Sequence, residues 1–470
     1  MNNHADSTTP RATPGSTPTQ PVELDVLRLT RRGHGLALLG DRPVFLPNTD
    51  AGERVRASVS EVRQRLQGHV LEVIKSSPHR RDAECTNARR CPGCQVRHLT
   101  RSRQMNLSLS RIQGMVHGAV GMETLWSVIA EAPRDGARSR VVARALRDGA
   151  GRLTLGMAAT DGDVVPLGEC PVQSMSTREL ISIVQEALRA ADFTAFDPQT
   201  REGTVRHVFA EASSEGSRVV IALAHEVPDA RFASVLANRP KTSLAVDVLP
   251  KRGAGTFSAP RALRGSLSME LEIDGDRLRA TLPAWTPQAP ETVPALRCAV
   301  LRRLNPTPTD HVMEIGCGVG TLSLPIARRS GRLTGIDRCR AAVDDAEHNV
   351  RRGGADGARF FVGDARHALR RALSRGESAE LVLLHAMRRP FGPAVMSAIR
   401  ALRPRRLVYL APNPAALADD LRALVGDRGH DRAAAPHPYV LTHGGVIDQS
   451  PGTTDLLTMV TLESPRDSAD

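Results

Sequence analysis

The sequence predicts a multidomain chain: a small N-terminal β-barrel, an α+β centre and a C-terminal α/β domain of doubly wound, Rossmann-like type. Three observations predict it. Short apolar runs at close spacing fill residues 21–80, four cysteines mark residues 81–285, and strand-like runs alternate with helical ones around a glycine loop in 286–470. A chain of 470 residues has room for three such units.

Residues 1–20 are rich in Thr, Pro, Ser and Asn, have almost nothing to bury, and read as a disordered tail. From Val22 the character changes. Val22–Leu27, Gly35–Leu39, Pro43–Leu46, Val55–Val59 and His69–Ile74 read as strands, with Gly33, Gly40, Asn48 and Gly52 at the turns. Arg54, Arg56, Arg63 and Arg65 offer a basic face, although a solvated charged surface explains each taken singly. In the centre, Val141–Ala145 and Arg152–Gly156 read as strands paired through Asp148-Gly149, Val219–Leu223 and Ser243–Leu249 as further strands, and 176–191 as an amphipathic helix.

The central cysteines follow C-x5-C-x2-C at Cys85, Cys91 and Cys94, with Cys170 alone in Gly168-Glu-Cys-Pro171. Three close thiols and one distant one suit a [4Fe–4S] cluster, near the C-x4-C-x2-C…C style of plant-type ferredoxins. Structural zinc usually draws on two short pairs, and only one C-x2-C pair is present. Zinc, and free or disulfide-bonded cysteines, stay as alternatives.

In the third unit Val312–Ile315 reads as a buried strand, followed by a glycine loop and the helix Leu322–Ala327. Leu333–Ile336, a helix over Ala341–Arg351, Phe360–Val362, Leu381–Leu384 and Leu407–Leu410 continue the alternation. The loop Glu314-Ile-Gly316-Cys-Gly318-Val-Gly320 lets the backbone turn tightly and approach a ligand. Asp337 ends the next strand, about 20 residues on, where a carboxylate accepts from ribose hydroxyls. Asp364, after the third strand, can take an adenine amino group. NAD binding is the rival, but its G-x-G-x-x-G spacing is absent because residue 321 is Thr.

Net charge is +12, nearly all of it from arginine, since the chain holds only Lys75, Lys241 and Lys251 as lysines. Arginine-biased codon usage accounts for this as readily as an anionic partner such as nucleic acid does. Aromatics are scarce at 3%, so base stacking on an aromatic platform is at most a minor mode. No run approaches the ~20 apolar residues that cross a bilayer, and Met1–Asp6 lacks the basic start and apolar run of a secretory signal. A cytoplasmic, monomeric protein with no membrane partner is expected.

Gly33 to Val55, with Val44-Phe-Leu-Pro47 and Gly52-Glu53, resembles a TRAM domain, an OB-like RNA-binding barrel. The acid–glycine–glycine–glycine loop with Asp337 and Asp364 resembles the S-adenosylmethionine (SAM) site of class I methyltransferases. The three blocks in this order, from about residue 21 to 465, resemble the RNA (uracil-5-)-methyltransferase family acting on 23S rRNA and tRNA. The resemblance implies a SAM-dependent RNA methyltransferase bearing a [4Fe–4S] cluster, with structured rRNA or tRNA as partner. It implies SAM contacts at Gln288, Glu314, Gly316, Gly318, Gly320, Asp337 and Asp364. Gln95, His98 and Asn349 also match.

The family's chemistry adds a cysteine thiolate to uracil C6 and later removes the C5 proton with a carboxylate. The resemblance puts the cysteine in Y-V-S-C-N-P, which reads Tyr409-Leu-Ala-Pro412-Asn-Pro414 here. The base ends D-x-F-P-x-T-x-H-V-E, aligned with Asp448 to Leu457. The D-P-P-R motif reads His385-Ala-Met-Arg388. Pro412, Leu457 and His385 therefore replace Cys, Glu and Asp, and only Arg388 is kept. Cys317, Cys339 and Cys298 read as packing residues, Asp455 as a weak substitute base, and His385 as a base for some other methylation or a neutral replacement. Ordinary uracil-C5 chemistry is not expected. The alternative is a non-catalytic RNA-binding paralogue, a pseudoenzyme that keeps the SAM and cluster sites.

Overall fold

The structure, a computed structural model, describes residues 20–62, 64–82, 84–160, 162–249, 258–425 and 439–465. Arg63 and the expected tail up to residue 19 lie outside the described residues.

Residues 22–75 form a six-stranded sheet with its own core. Alternation builds it: along Arg54–Val62, Val55, Ala57 and Val59 turn inward to Leu24, Ala37, Val44 and Leu46, while Arg54 and Arg56 face out. Those arginines do not present free charge. Arg54 pairs with Glu23 at 3.2 Å and Arg56 with Glu72 at 2.8 Å, both across neighbouring strands. Of the four arginines expected on a basic face, two are compensated, and Arg65 is exposed.

The central sheet has seven strands between Arg140 and Arg264, including the expected antiparallel pair Arg140–Arg147 and Leu153–Ala158. Asp148 shapes their turn by accepting from the backbone N–H of Ala150 and Arg152, each at 3.0 Å. The helix Met175–Ala190 is capped by Ser174, which accepts from Thr177 N–H at 3.2 Å. It buries Leu180, Ile181, Val184 and Leu188 against Leu155, Val208 and Ile221.

The third unit is an eight-stranded sheet. Its order is Ala358–Val362, Arg332–Asp337, His311–Ile315, Leu381–His385, Arg406–Ala411, Leu457–Glu463, Val440–Asp448 and Leu125–Glu131. The first five run parallel and Leu457–Glu463 runs antiparallel to both neighbours. After His311–Ile315 the chain first builds outward on one side, then returns to build on the other. That makes a topological switch point between His311–Ile315 and Leu381–His385, where open α/β sheets bind ligands at the carboxyl ends of their strands.

Three details differ from the sequence reading. Leu125–Glu131, read as part of the centre, joins this sheet as an edge strand parallel to Val440–Asp448. The helix Arg101–Val120 ahead of it buries Met105, Ile112, Val116 and Val120 in the same core as Leu417, Leu421 and Leu424. Cys298, read as core, is exposed: the helix Val293–Leu304 buries Leu296, Val300, Leu301 and Leu304 on its other face. The glycine-loop helix is also shorter than expected, Ser323–Ala327. Among the described residues no helix is long and apolar enough to cross a membrane.

Candidate functional site

The glycine loop sits at the switch point and its conformation needs glycine. Gly316 has φ +86°, and a Cβ there would stand 2.3 Å from the carbonyl oxygen of His385. Gly320 has φ +83°, and a Cβ there would press on Ala346 of the following helix. Asp337 holds this mouth in shape. Its carboxylate accepts from Gly318 N–H at 3.0 Å and from Cys339 N–H at 2.9 Å. Asp364 caps the helix Ala365–Ser374, accepting from Arg366 N–H at 3.0 Å, and stands 3.7 Å from Arg338. Asn349 binds the back of the loop, donating to Val319 O at 2.8 Å and exchanging hydrogen bonds with the backbone of Arg279.

Glu314 lies beneath the loop, 1% exposed. One carboxylate oxygen accepts from Ser323 Oγ at 2.5 Å; the other has no hydrogen-bond partner. Burial pushes its carboxyl up to about 8, the Ser323 hydrogen bond opposes this, and the Asp337 charge adds to it. A buried, half-satisfied acceptor at a strand end is an unfinished site, since such an atom normally finds a partner.

The segment 280–288 approaches from the central sheet. Arg218 and Glu211, both almost fully buried, pair at 2.6 Å. Arg218 also donates to Leu267 O and Ala280 O, and Glu211 accepts from Thr286 Oγ1 at 2.6 Å. This clamp sets Trp285 at the site with its ring centroid 6.3 Å from that of His385, edge to face. The Arg140 guanidinium lies 4.9 Å from the Trp285 ring. Gln288 follows, its Oε1 3.5 Å from Ser450 Oγ. Trp285 and Arg140 escaped the sequence reading. One of two tryptophans just ahead of Gln288 was the available signal, but nothing in a sequence places Arg140 on it.

The three replaced positions lie at one edge of the sheet: His385 and Pro412 at the carboxyl ends of their strands, and Leu457 at the amino end of the antiparallel strand Leu457–Glu463. Ala411 pairs with Thr458 in antiparallel register, which brings the adjoining Pro412 and Leu457 to the same end of the two strands. Leu457 is 7% exposed and packs with Val408, Leu410 and Ile447. His385 pairs with Leu410 one strand over. Burial holds its imidazole down at about 4, with Asp337 opposing, so it is neutral at pH 7. Arg388 is exposed on a loop that Asn413 and Asp420 pin: Asn413 donates to Arg388 O at 2.9 Å, and Asp420 accepts from Phe391 N–H and Gly392 N–H and from the Tyr409 hydroxyl. Cys317 is buried, and burial raises its thiol well above the usual range; burial also raises that of the half-buried Cys339. Neither is an activated nucleophile. Asp455 is exposed and stands ahead of Leu457 on the loop side.

Cys85, Cys91, Cys94 and Cys170 are half-buried and form no disulfide. Burial raises the Cys91 thiol and pushes Cys94 up to about 11, and in each case neighbouring cysteines, Cys170 among them, add to the rise. The four thiols therefore lie within electrostatic reach of one another. Among the described residues no group of three or more His, Cys, Asp or Glu side chains is placed to hold a metal ion.

Residues 306–423 match a family described as a methyltransferase domain. The chain is 27% identical to the 23S rRNA (uracil(1939)-C(5))-methyltransferase of Pseudomonas putida over 466 residues, 95% of this chain and 96% of that one. It resembles the RNA methyltransferases from end to end. An uncharacterised RNA methyltransferase of Halalkalibacterium halodurans is 25% identical over 94% of this chain and 96% of its own length. Among solved structures, the Pyrococcus abyssi tRNA (uracil-54, C5)-methyltransferase, crystallised with S-adenosyl-L-homocysteine, superposes with a TM-score of 0.71 over 94% of this chain and 100% of that one, at 18% identity. That likeness is one of fold.

Proposed function

We propose that this chain is a SAM-binding protein of the RNA methyltransferase type that grips structured RNA but does not perform covalent uracil-C5 methylation. The observation that carries the second half is that Pro412 and Leu457 both adjoin the last register pair of their two strands, Ala411 with Thr458, with a neutral His385 one strand over. Uracil C5 becomes nucleophilic only after a thiolate adds to C6, and it needs a base to lose its proton. Pro412 has no thiol, Leu457 has no carboxylate, and Cys317 is buried in the wrong protonation state.

SAM supplies an electrophilic methyl group. What supports its binding here is the unpartnered oxygen of Glu314, the positive-φ glycine loop, and Asp337 and Asp364 at successive strand ends. Asp337→Ala is expected to weaken binding by about 1.5–3 kcal/mol, roughly 10- to 150-fold, because hydrogen bonds to a charged acceptor are lost. Calorimetry with S-adenosylhomocysteine measures this, and undetectable wild-type binding at millimolar concentration contradicts the site.

Glu314 gives that binding a pH signature. The free protein holds the Glu314 proton below about pH 8. If the ligand's ammonium group is the missing partner of that oxygen, binding favours the ionised form and releases the proton. Affinity then rises with pH toward 8, by up to about tenfold per unit, and flattens above it. Glu314→Gln should abolish the slope, and a wild-type affinity independent of pH between 6 and 8 contradicts the assignment.

The C-x5-C-x2-C spacing and the electrostatic proximity of Cys170 support a [4Fe–4S] cluster, which would hold the turn-rich segment 84–99 to the central sheet. The N-terminal sheet supports a TRAM-like, OB-related reading. Methyl transfer to another RNA atom and plain RNA binding both remain compatible with the neutral, apolar corner. Incubation with SAM and RNA followed by nucleoside analysis separates them: a methylated nucleoside other than 5-methyluridine favours an altered enzyme, none favours the non-catalytic paralogue, and 5-methyluridine contradicts the proposal.

A further inference from the structure

A cleft of about 260 Å³ opens between the N-terminal sheet and the helix Arg101–Val120. Arg28 and Arg31 form one side, Ser108 and Arg111 the other, and Thr454 closes the end. Its walls are fastened together. Arg111 donates to Arg31 O at 2.5 Å and to Thr454 O at 2.7 Å, and Ser108 Oγ donates to the same Thr454 carbonyl at 3.3 Å. Gly33 allows the close approach: a Cβ there would stand 2.9 Å from Val96 and 3.1 Å from Thr454. The cleft is therefore a built junction of three parts of the chain.

Its charge is unspent. Among the described residues no carboxylate pairs with Arg28 or Arg31, in contrast to Arg54 and Arg56 on the outer face of the same sheet. Arg111 Nε is buried with no hydrogen-bond partner. Asp455, exposed, partly offsets Arg111, and Arg31 repels it. Two mutually repelling guanidiniums, with Arg28 beside them, around a small cleft match the charge of a phosphate group. The place matters as well. Thr454 is three residues from Leu457, a span of about 10 Å at full extension, so the cleft lies close to the proposed methyl-acceptor corner.

We propose that this cleft is a phosphodiester subsite that seats the RNA backbone flanking the nucleotide presented to the SAM edge, with Arg28 and Arg31 supplying the hydrogen-bonding charge and the fastened Arg111 guanidinium a fixed positive charge behind them. The inference rests on the RNA reading above. It moves the RNA grip of the N-terminal sheet from the outer arginines of Arg54–Val62 to the turn around Gly33.

The test uses the full chain and a 20-nucleotide RNA hairpin with a uridine-rich loop, titrated by fluorescence anisotropy from 50 to 300 mM salt. The Arg28→Ala/Arg31→Ala double variant should bind on the order of tenfold more weakly at the low end. Its log K against log salt slope should be shallower by about 1.4, two single-strand contacts at about 0.7 each. Arg28→Lys/Arg31→Lys should keep the slope, and Arg54→Ala/Arg56→Ala should bind within about twofold of wild type. Melting curves confirm folding. A double variant with wild-type affinity and slope overturns the subsite while leaving RNA binding intact; an equal loss in the Arg54/Arg56 variant overturns its location. A wild-type chain that does not bind the hairpin overturns the RNA reading and the subsite together.

Discussion

Cys91→Ser is expected to remove the iron of the proposed cluster and loosen the junction between the cysteine segment and the loop 449–456. Anaerobically purified wild-type protein should be brown, with about four irons per chain, because four thiolates can ligate one cubane. The variant should be colourless, with that iron essentially absent. The structural consequence follows from how residues 84–99 are held. They form turns rather than regular elements, so thiol ligation in the proposed cluster would supply order that a backbone ladder does not. The segment in turn touches the loop before Leu457: Val96 N–H donates to Gly452 O at 3.0 Å, and a Cβ on Gly452 would stand 3.3 Å from Cys94 Sγ. Limited proteolysis of the variant should therefore cut both near 84–99 and near 449–456. Stoichiometric zinc without iron in the wild type contradicts the cluster, and a Cys91→Ser protein with unchanged iron contradicts the ligand set.

The second large effect is a missing one. RNA incubated with the wild type and SAM should contain no 5-methyluridine, a deficit on the order of 10⁶ in turnover if loss of a covalent nucleophile costs what it does elsewhere. Pro412→Cys restores a thiol at the strand end and should permit slow covalent trapping of 5-fluorouracil RNA, read as an intact-mass shift. It should not restore turnover, because Leu457 cannot take a proton. Leu457→Glu carries its own penalty: the leucine packs among Val408, Leu410 and Ile447, so a carboxylate there loses apolar contacts and is desolvated. That variant should melt well below wild type. Full 5-methyluridine formation by Pro412→Cys alone would contradict the role assigned to Leu457.

Much of this was legible in the sequence because its signals were local. His311–Ile315 and Arg332–Asp337 are short apolar runs abutting a glycine loop and an aspartate, and they stand where expected. The strand Leu125–Glu131 was not legible. As an edge strand it buries neither face fully, so neither alternation nor a continuous apolar run marks it. The helix Arg101–Val120 hid for a related reason: Ser, Arg and Gln dilute its apolar stripe, although Ile112 and Val116 are fully buried. At the site, Glu314, Asp337 and the glycines sit in contiguous motifs and could be named. The Arg140–Trp285 contact and the Arg28–Arg111 cleft join residues far apart in the chain, and tertiary packing alone creates them. The paired arginines Arg54 and Arg56 looked like a binding face in sequence because their carboxylate partners lie on other strands.

Whether any cysteine of this chain attacks a pyrimidine decides between lost and retained covalent uracil chemistry. The direct measurement is denaturing electrophoresis and intact mass of the wild-type protein after incubation with SAM and 5-fluorouracil-containing RNA, in which fluorine blocks release of the covalent intermediate. With Pro412 at the nucleophile's place and the Cys317 thiol buried and protonated, no adduct should form. A stable protein–RNA adduct, mapped by peptide mass to Cys317, Cys339 or any other cysteine, would contradict the claim that covalent uracil chemistry has been lost.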